Sequence, residues 1–299
     1  MVLEGLAVPL VTLFDGEGAV DRERNVGFAR ALCEVGVAHL FVLGSTGEFP
    51  SILPGERRPL IEAVIEGAAR RADVWVGCGA PSTAQAVAFA REAERLGASA
   101  LVAVPPYYLR PSLIAIDHYY RAIKAATKVP LLAYNNPALV GYALSPSLLH
   151  ALAREGVLAG MKDTSGSLDS VTGFLRGAPE GFSVLPGDPP LASAAIERGA
   201  RGAVMAVANI APKLCLELVG AARRGDRPRT RELQPLVDRL VEVTKAGPNP
   251  STVKFLITEL SGREVGYRPP CEPLSPAEAD SVRARLAPVR GALMPFLAK

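Results

Sequence analysis

Short apolar runs, each closed by turn-forming residues, recur along the chain: Leu6 to Phe14, Val37 to Leu43, Val74 to Cys78, Ala100 to Val104, Val129 to Tyr134, Val157 to Met161, Phe182 to Leu185 and Ala203 to Val207. Between them lie stretches whose apolar positions return at helical spacing. A-Q-A-V-A-F-A-R-E-A-E-R-L-G-A follows Ser82 as a cap and closes on Gly97, and Glu23 to Val35 and Gly55 to Arg71 are similar. Strands that alternate with helices demand a parallel sheet, and strands apolar along their whole length are covered on both faces. Eight such units predict a closed (β/α)8 TIM barrel. A doubly wound open sheet competes, but the first run, V-P-L-V-T-L-F-D, is not followed by the G-x-G-x-x-G of a dinucleotide site. After Asn209 the pattern is helical, over Ala211 to Arg224, Arg229 to Lys245, Pro250 to Leu260 and Pro276 to Ala298. The expectation is an α/β chain with a barrel at 1–210 and a C-terminal helical extension at 211–299. The segment A-G-P-N-P is a turn inside that extension and not a linker.

Composition narrows the classes without changing this picture. With 49% hydrophobic against 21% charged residues, the 299-residue chain can build a sizeable core, which excludes disorder. The net charge of +3 is spread without a basic stripe, so no nucleic-acid partner is expected. No apolar run reaches the ~18 residues of a membrane span, and M-V-L-E-G does not open a signal peptide. A soluble, cytoplasmic protein is expected. Cys33, Cys78, Cys215 and Cys271 stand far apart, at no ligand-like spacing from His39, His118 or His150. They read as buried small hydrophobes in a reducing compartment, with no metal site.

In α/β barrels chemistry collects at the C-terminal ends of the strands. Here those ends carry G-S-T-G-E, P-P-Y-Y, Y-N-N-P, G-M-K-D-T, P-G-D and A-N. Only seven of the 33 basic residues are lysines, and of these Lys162 alone ends an expected strand. A lysine rooted in an apolar run and aimed at a barrel mouth is partly desolvated, which disfavours the ammonium and makes a nucleophilic amine accessible. Taken alone it reads as readily as a lysine snorkelling to solvent. Tyr134 closes the preceding strand, where its phenol can move protons, and G-S-T-G offers the hydroxyls of Ser45 and Thr46 with turn amides as a carboxylate cradle. Each also has an ordinary explanation, a core tyrosine and a capping turn. Together the cradle, phenol and lysine describe a site for a 2-keto acid bound as an imine.

These motifs, with N-P-S-T-V-K at Asn249 to Lys254, resemble those of the dihydrodipicolinate synthase / N-acetylneuraminate lyase family of class I aldolases, over nearly the whole chain. The resemblance implies that Lys162 forms the Schiff base with pyruvate, that Tyr134 is the general acid/base, and that Ser45 and Thr46 hold the pyruvate carboxylate. It implies that Tyr108 reaches into a neighbouring subunit's site, that Thr164 and Gly187 contact substrate, and that a backbone carbonyl at Val204 lines the site. It further implies a homotetramer built as a dimer of dimers, with pyruvate and a small aldehyde as partners and no cofactor. Synthases of the family carry an arginine shortly after Y-N-x-P, where this chain has Leu139. An apolar side chain cannot grip a carboxylate, and the expected activity is therefore reversible cleavage of a short 2-keto-3-deoxy acid, such as 2-keto-3-deoxygluconate. Alternatives are 4-hydroxy-2-oxoglutarate aldolase, dihydrodipicolinate synthase with another carboxylate anchor, and a keto-acid sensor without turnover. Against the sensor, pure binding requires neither a nucleophile nor a proton shuttle.

Overall fold

The computed structural model describes residues 3–297. Its sheet holds eight parallel strands: β1 (Gly5–Pro9), β2 (His39–Val42), β3 (Asp73–Gly77), β4 (Ala100–Ala103), β5 (Leu131–Asn135), β6 (Gly160–Asp163), β7 (Ser183–Pro186) and β8 (Gly202–Val204). From β1 to β7 each strand pairs with the next in sequence, β1 also pairs with β8, and a backbone bond from Arg201 N–H, just before β8, to Val184 O of β7 at 3.2 Å bridges the remaining gap. The sheet is thus the expected barrel. Strands β4 to β7 are buried at every position because side chains on one face fill the barrel and those on the other meet helices. Helix Thr83–Leu96 presents Ala86, Ala90 and Ala93 to the barrel, small residues at helical spacing that let its backbone approach closely. It starts on the Ser82 side chain and stops at Gly97, whose φ of 96° favours glycine.

The first apolar run is longer than its strand. Only Gly5 to Pro9 lies in the sheet, while Leu10 to Phe14 continues as buried loop, and Phe14 makes an isolated bridge to Val20. Conversely β6 runs past Met161 to Asp163, because both polar residues stay in register with β5 and β7. After β8 the chain forms the helices Pro212–Arg223, Arg227–Thr244, Ser251–Ser261 and Pro276–Leu293. The last of them ends five residues short of the expected Ala298, which, like Lys299 and the first two residues, lies outside the described range. Cys33, Cys78 and Cys215 are buried as expected, but Cys271 is only half-buried, in the loop that follows the third of these helices.

Candidate active site

Two adjacent strand ends build the centre. Tyr134 on β5 is in register with Lys162 on β6, so both side chains leave the sheet on the same side at the same height. Lys162 is only 5% exposed, and its Nζ lies 4.1 Å from the centre of the Tyr134 ring and 5.6 Å from that of Phe41. Ring faces attract a desolvated cation by about 2 kcal/mol, far less than a buried carboxylate does. The contrast within the molecule is Lys254, also buried, whose Nζ meets Glu48 Oε1 at 2.6 Å. Lys254 is neutralised by a partner, whereas Lys162 Nζ faces aromatic rings.

Burial alone would raise the pKa of the Tyr134 phenol. The Lys162 charge, with the nearby polar groups of Ser45 and Thr164, outweighs it and holds the phenol below the usual tyrosine range. Asn136 Nδ2 also donates to the phenol oxygen, at 2.9 Å.

The cradle is a tight turn between two non-glycine residues in left-handed backbone, Leu43 (φ 61°) and Glu48 (φ 58°). Gly47 N–H donates to Gly44 O at 3.0 Å and Glu48 N–H to Ser45 O at 3.1 Å, while the Thr12 hydroxyl donates to Gly47 O at 2.7 Å. A Cβ on Gly47 would stand 2.8 Å from the Leu10 carbonyl, so only glycine fits. Left-handed backbone at Leu43 and Glu48 costs about 1–3 kcal/mol each and persists where surroundings impose it. The Lys254 ion pair supplies that constraint at Glu48, and Lys254 also donates to Gly266 O at 3.0 Å. The N-P-S-T-V-K motif thereby anchors the cradle from the C-terminal helices.

At the end of β6 the side chain of Asp163 is fully buried. It accepts from Asn135 Nδ2 at 2.6 Å and from Ser165 Oγ at 2.8 Å, and its backbone carbonyl accepts from Gly187 N–H at 2.6 Å. These bonds lock the ends of β5, β6 and β7 together. Gly187 is there for space: a Cβ would lie 2.1 Å from Thr164 Oγ1 and 2.7 Å from Lys162 Cε. A cavity of about 260 Å³ opens beside the centre, lined by Ser45, Phe49, Pro50, Val104, Tyr107, Asn136, Leu139 and Val140.

The fold therefore gathers Ser45, Tyr134, Lys162, Thr164 and Gly187. Thr46 is buried in the cradle turn and Val204 ends β8. Tyr108 stands apart. It has a φ of 74° and is 95% exposed, so it touches almost nothing of its own chain and does not meet the buried Tyr134. Sequence reasoning gave no duty to Asn135, Asn136, Asp163, Glu48 or Lys254. The signal was in the motifs themselves, where Asn before Pro at a strand end marks a cap and Glu in a glycine turn marks an anchor.

A parallel barrel whose mouth holds a buried amine against a phenol, beside a hydroxyl-bearing turn, has the layout that imine chemistry requires, and so defines a Schiff-base lyase or aldolase. Residues 2–288 match the model of the dihydrodipicolinate synthetase family, and the chain belongs to that family of pyruvate-dependent lyases. It is 35% identical over 286 residues to an uncharacterized DapA-like lyase of Halobacterium salinarum, covering 95% of this chain and 93% of that one. It is 34% identical over 281 residues to a 4-hydroxy-tetrahydrodipicolinate synthase of an Azoarcus species, covering 94% and 96%. Among solved structures it is similar to YagE, a prophage protein of the same family from E. coli K12 in complex with pyruvate, with a TM-score of 0.92, 26% identity, and 97% and 99% coverage.

Proposed function

We propose that Lys162 captures pyruvate as an imine and that this chain makes or breaks the carbon–carbon bond beside the former keto group. The observation that carries this reading is the register of Tyr134 with Lys162, which sets a buried amine 4.1 Å from a phenol ring whose hydroxyl is made more acidic than usual. Lys162 Nζ adds to the pyruvate carbonyl carbon and water leaves. The protonated imine then draws electrons from the adjacent carbon, so that a proton or an aldehyde carbon can leave or join there through an enamine. Tyr134 carries the protons, work worth roughly 10²- to 10⁴-fold in rate. Ser45 and Thr46 hold the carboxylate, Thr164 offers a hydroxyl, Gly187 leaves room for the adduct, and the Val204 carbonyl lines the floor. Tyr108, directed outward, serves the site of a second copy in a homotetramer. A cytoplasmic location accords with a chain in which, among the described residues, no helix is long and apolar enough to cross a membrane.

Two readings divide the second substrate. The Azoarcus relative's name supports 4-hydroxy-tetrahydrodipicolinate synthesis, the condensation of pyruvate with aspartate semialdehyde, which is the leading reading. Its carboxylate anchor would be Arg110, whose guanidinium lies 5.9 Å over the Tyr142 ring on the P-P-Y-Y side of the mouth. Cleavage of 2-keto-3-deoxygluconate is favoured by one observation, the absence of a charged side chain from the cavity lining, with Leu139 69% exposed beside it. Assays of both reactions on one preparation decide between them. Borohydride with pyruvate is expected to leave a stable adduct on the peptide carrying residue 162, absent in Lys162→Ala. An adduct elsewhere overturns the proposal.

A further inference from the structure

The two asparagines of Y-N-N-P do different things. Asn135 is fully committed to structure: its Nδ2 donates to Asp163 and its Oδ1 accepts from Leu144 N–H at 2.9 Å. Asn136 is 6% exposed, lines the cavity, and holds two contacts that fix which way its amide faces. Its Oδ1 accepts from Leu139 N–H at 3.4 Å, capping the short helix Pro137–Val140, and its Nδ2 donates to the Tyr134 oxygen at 2.9 Å. With the carbonyl end taken by the cap, only N–H can face the phenol.

We propose that Asn136 is a positioning residue for proton transfer, its capped amide fixing the Tyr134 oxygen in place and stabilising that oxygen as the phenolate. A neighbour that can only donate forces any proton on the phenol to point elsewhere, toward Ser45 or the bound substrate. A hydrogen bond to the charged form of an acid favours that form, and exclusion of water keeps the bond strong. In the imine of pyruvate, the phenolate takes a proton from the methyl carbon. The C–H pair becomes the enamine double bond and the C=N pair returns to nitrogen; the reverse step returns the proton. In deuterium oxide this cycle replaces methyl hydrogens by deuterium without a second substrate.

The inference rests on the imine reading, and the test keeps the two apart. Asn136→Asp keeps the size and the cap acceptor but removes the donor, and Asn136→Ser keeps a capping oxygen without the amide. Pyruvate methyl exchange is followed by NMR from pH 5 to 10, with borohydride trapping in parallel. Both variants are expected to retain the adduct on residue 162 and to lose ten-fold or more of their exchange at neutral pH. The pH of half-maximal exchange is expected to rise by about one unit, the scale of one charge-assisted hydrogen bond. Wild-type exchange and an unmoved profile in the Ser variant would mean that Asn136 only caps its helix, which overturns the inference whatever the Asp variant does. Failure of the wild-type protein to form the adduct ends the imine reading instead.

Discussion

At the scale of single residues, the site depends as much on missing atoms as on reactive ones. Lys162 reaches the mouth because Gly187 leaves its Cε and the Thr164 hydroxyl unobstructed, and because Asp163 holds the next turn of chain in place. Gly187→Ala puts a methyl 2.1 Å from Thr164 Oγ1 and 2.7 Å from Lys162 Cε. The threonine hydroxyl can rotate away, but the lysine stem is confined by Phe41 and Tyr134. Tilting the amine by about 1 Å costs on the order of 10²-fold in rate. Gly187→Ala is therefore expected to trap pyruvate slowly, about 100-fold below wild type, while its melting temperature changes by a few degrees only. Trapping at the wild-type rate would show that the space at Gly187 is not what the amine needs. Sequence made Lys162 and Tyr134 legible because a polar residue at the end of an apolar run is conspicuous. Gly187 came into the site only through the family resemblance, as a substrate contact. That its place requires a missing side chain was not legible, since a strand-end glycine reads as a turn until the side chains across from it are known.

At the scale of elements, the loops after the strands are held by the C-terminal helical region rather than by the barrel alone. Two ion pairs do this. Lys254 meets Glu48 of the cradle, and Arg268 meets Glu56 with two bonds of 2.6 Å while also donating to Gly18 O and Ser51 O. Helix periodicity predicted the appended helices, but charge pairs separated by about two hundred residues leave no local pattern, so the reason for those helices became visible only in three dimensions. Hydrogen bonding from Arg268 holds Glu56 below the usual carboxylate range, against the opposing effect of burial. A carboxylate depressed in the folded state stabilises it above the unfolded value of about 4.3, and that stabilisation fades as pH falls through the folded value. Glu56→Gln can keep the Oε2 acceptor for Leu53 N–H, but it removes the charge and sets an amide NH2 against the Arg268 Nη2 that Oε1 now accepts from. It is expected to cost about 1–2 kcal/mol at pH 7, since both side chains retain some solvent. Urea titrations of the two proteins should give midpoints that differ at pH 7 and converge toward pH 3. A gap that persists undiminished at pH 3 would mean that the ion pair is not its source.

For the whole molecule, the telling feature lies on the surface and not in the core. Tyr108, Leu109, Leu113 and Ile114 are 95%, 76%, 61% and 70% exposed within one short segment, in a chain that buries most of its large apolar residues. Scattered apolar residues are normal on a surface, but a cluster of this kind marks a contact. Tyr108 sits in that cluster with left-handed backbone, a conformation that an exposed tyrosine does not adopt for its own sake. If this face meets a second copy about a two-fold axis, each Tyr108 crosses into the other copy's mouth and each site is shared. Shared sites can be tested by complementation. Lys162→Ala has no nucleophile but keeps Tyr108, and Tyr108→Phe keeps Lys162 but lacks the crossing hydroxyl. Either variant alone is expected to be nearly inactive. When the two are unfolded together and refolded, half of the pairs at random assortment are mixed, and each mixed pair holds one site with both groups. Activity should therefore return to about a quarter of the wild-type level. A Tyr108 that acted within its own chain would give the same result as no mixing at all, because neither variant chain holds both groups. Mixtures that stay inactive, although sedimentation shows mixed assemblies, would mean that Tyr108 does not serve the partner's site, and the shared-site reading falls.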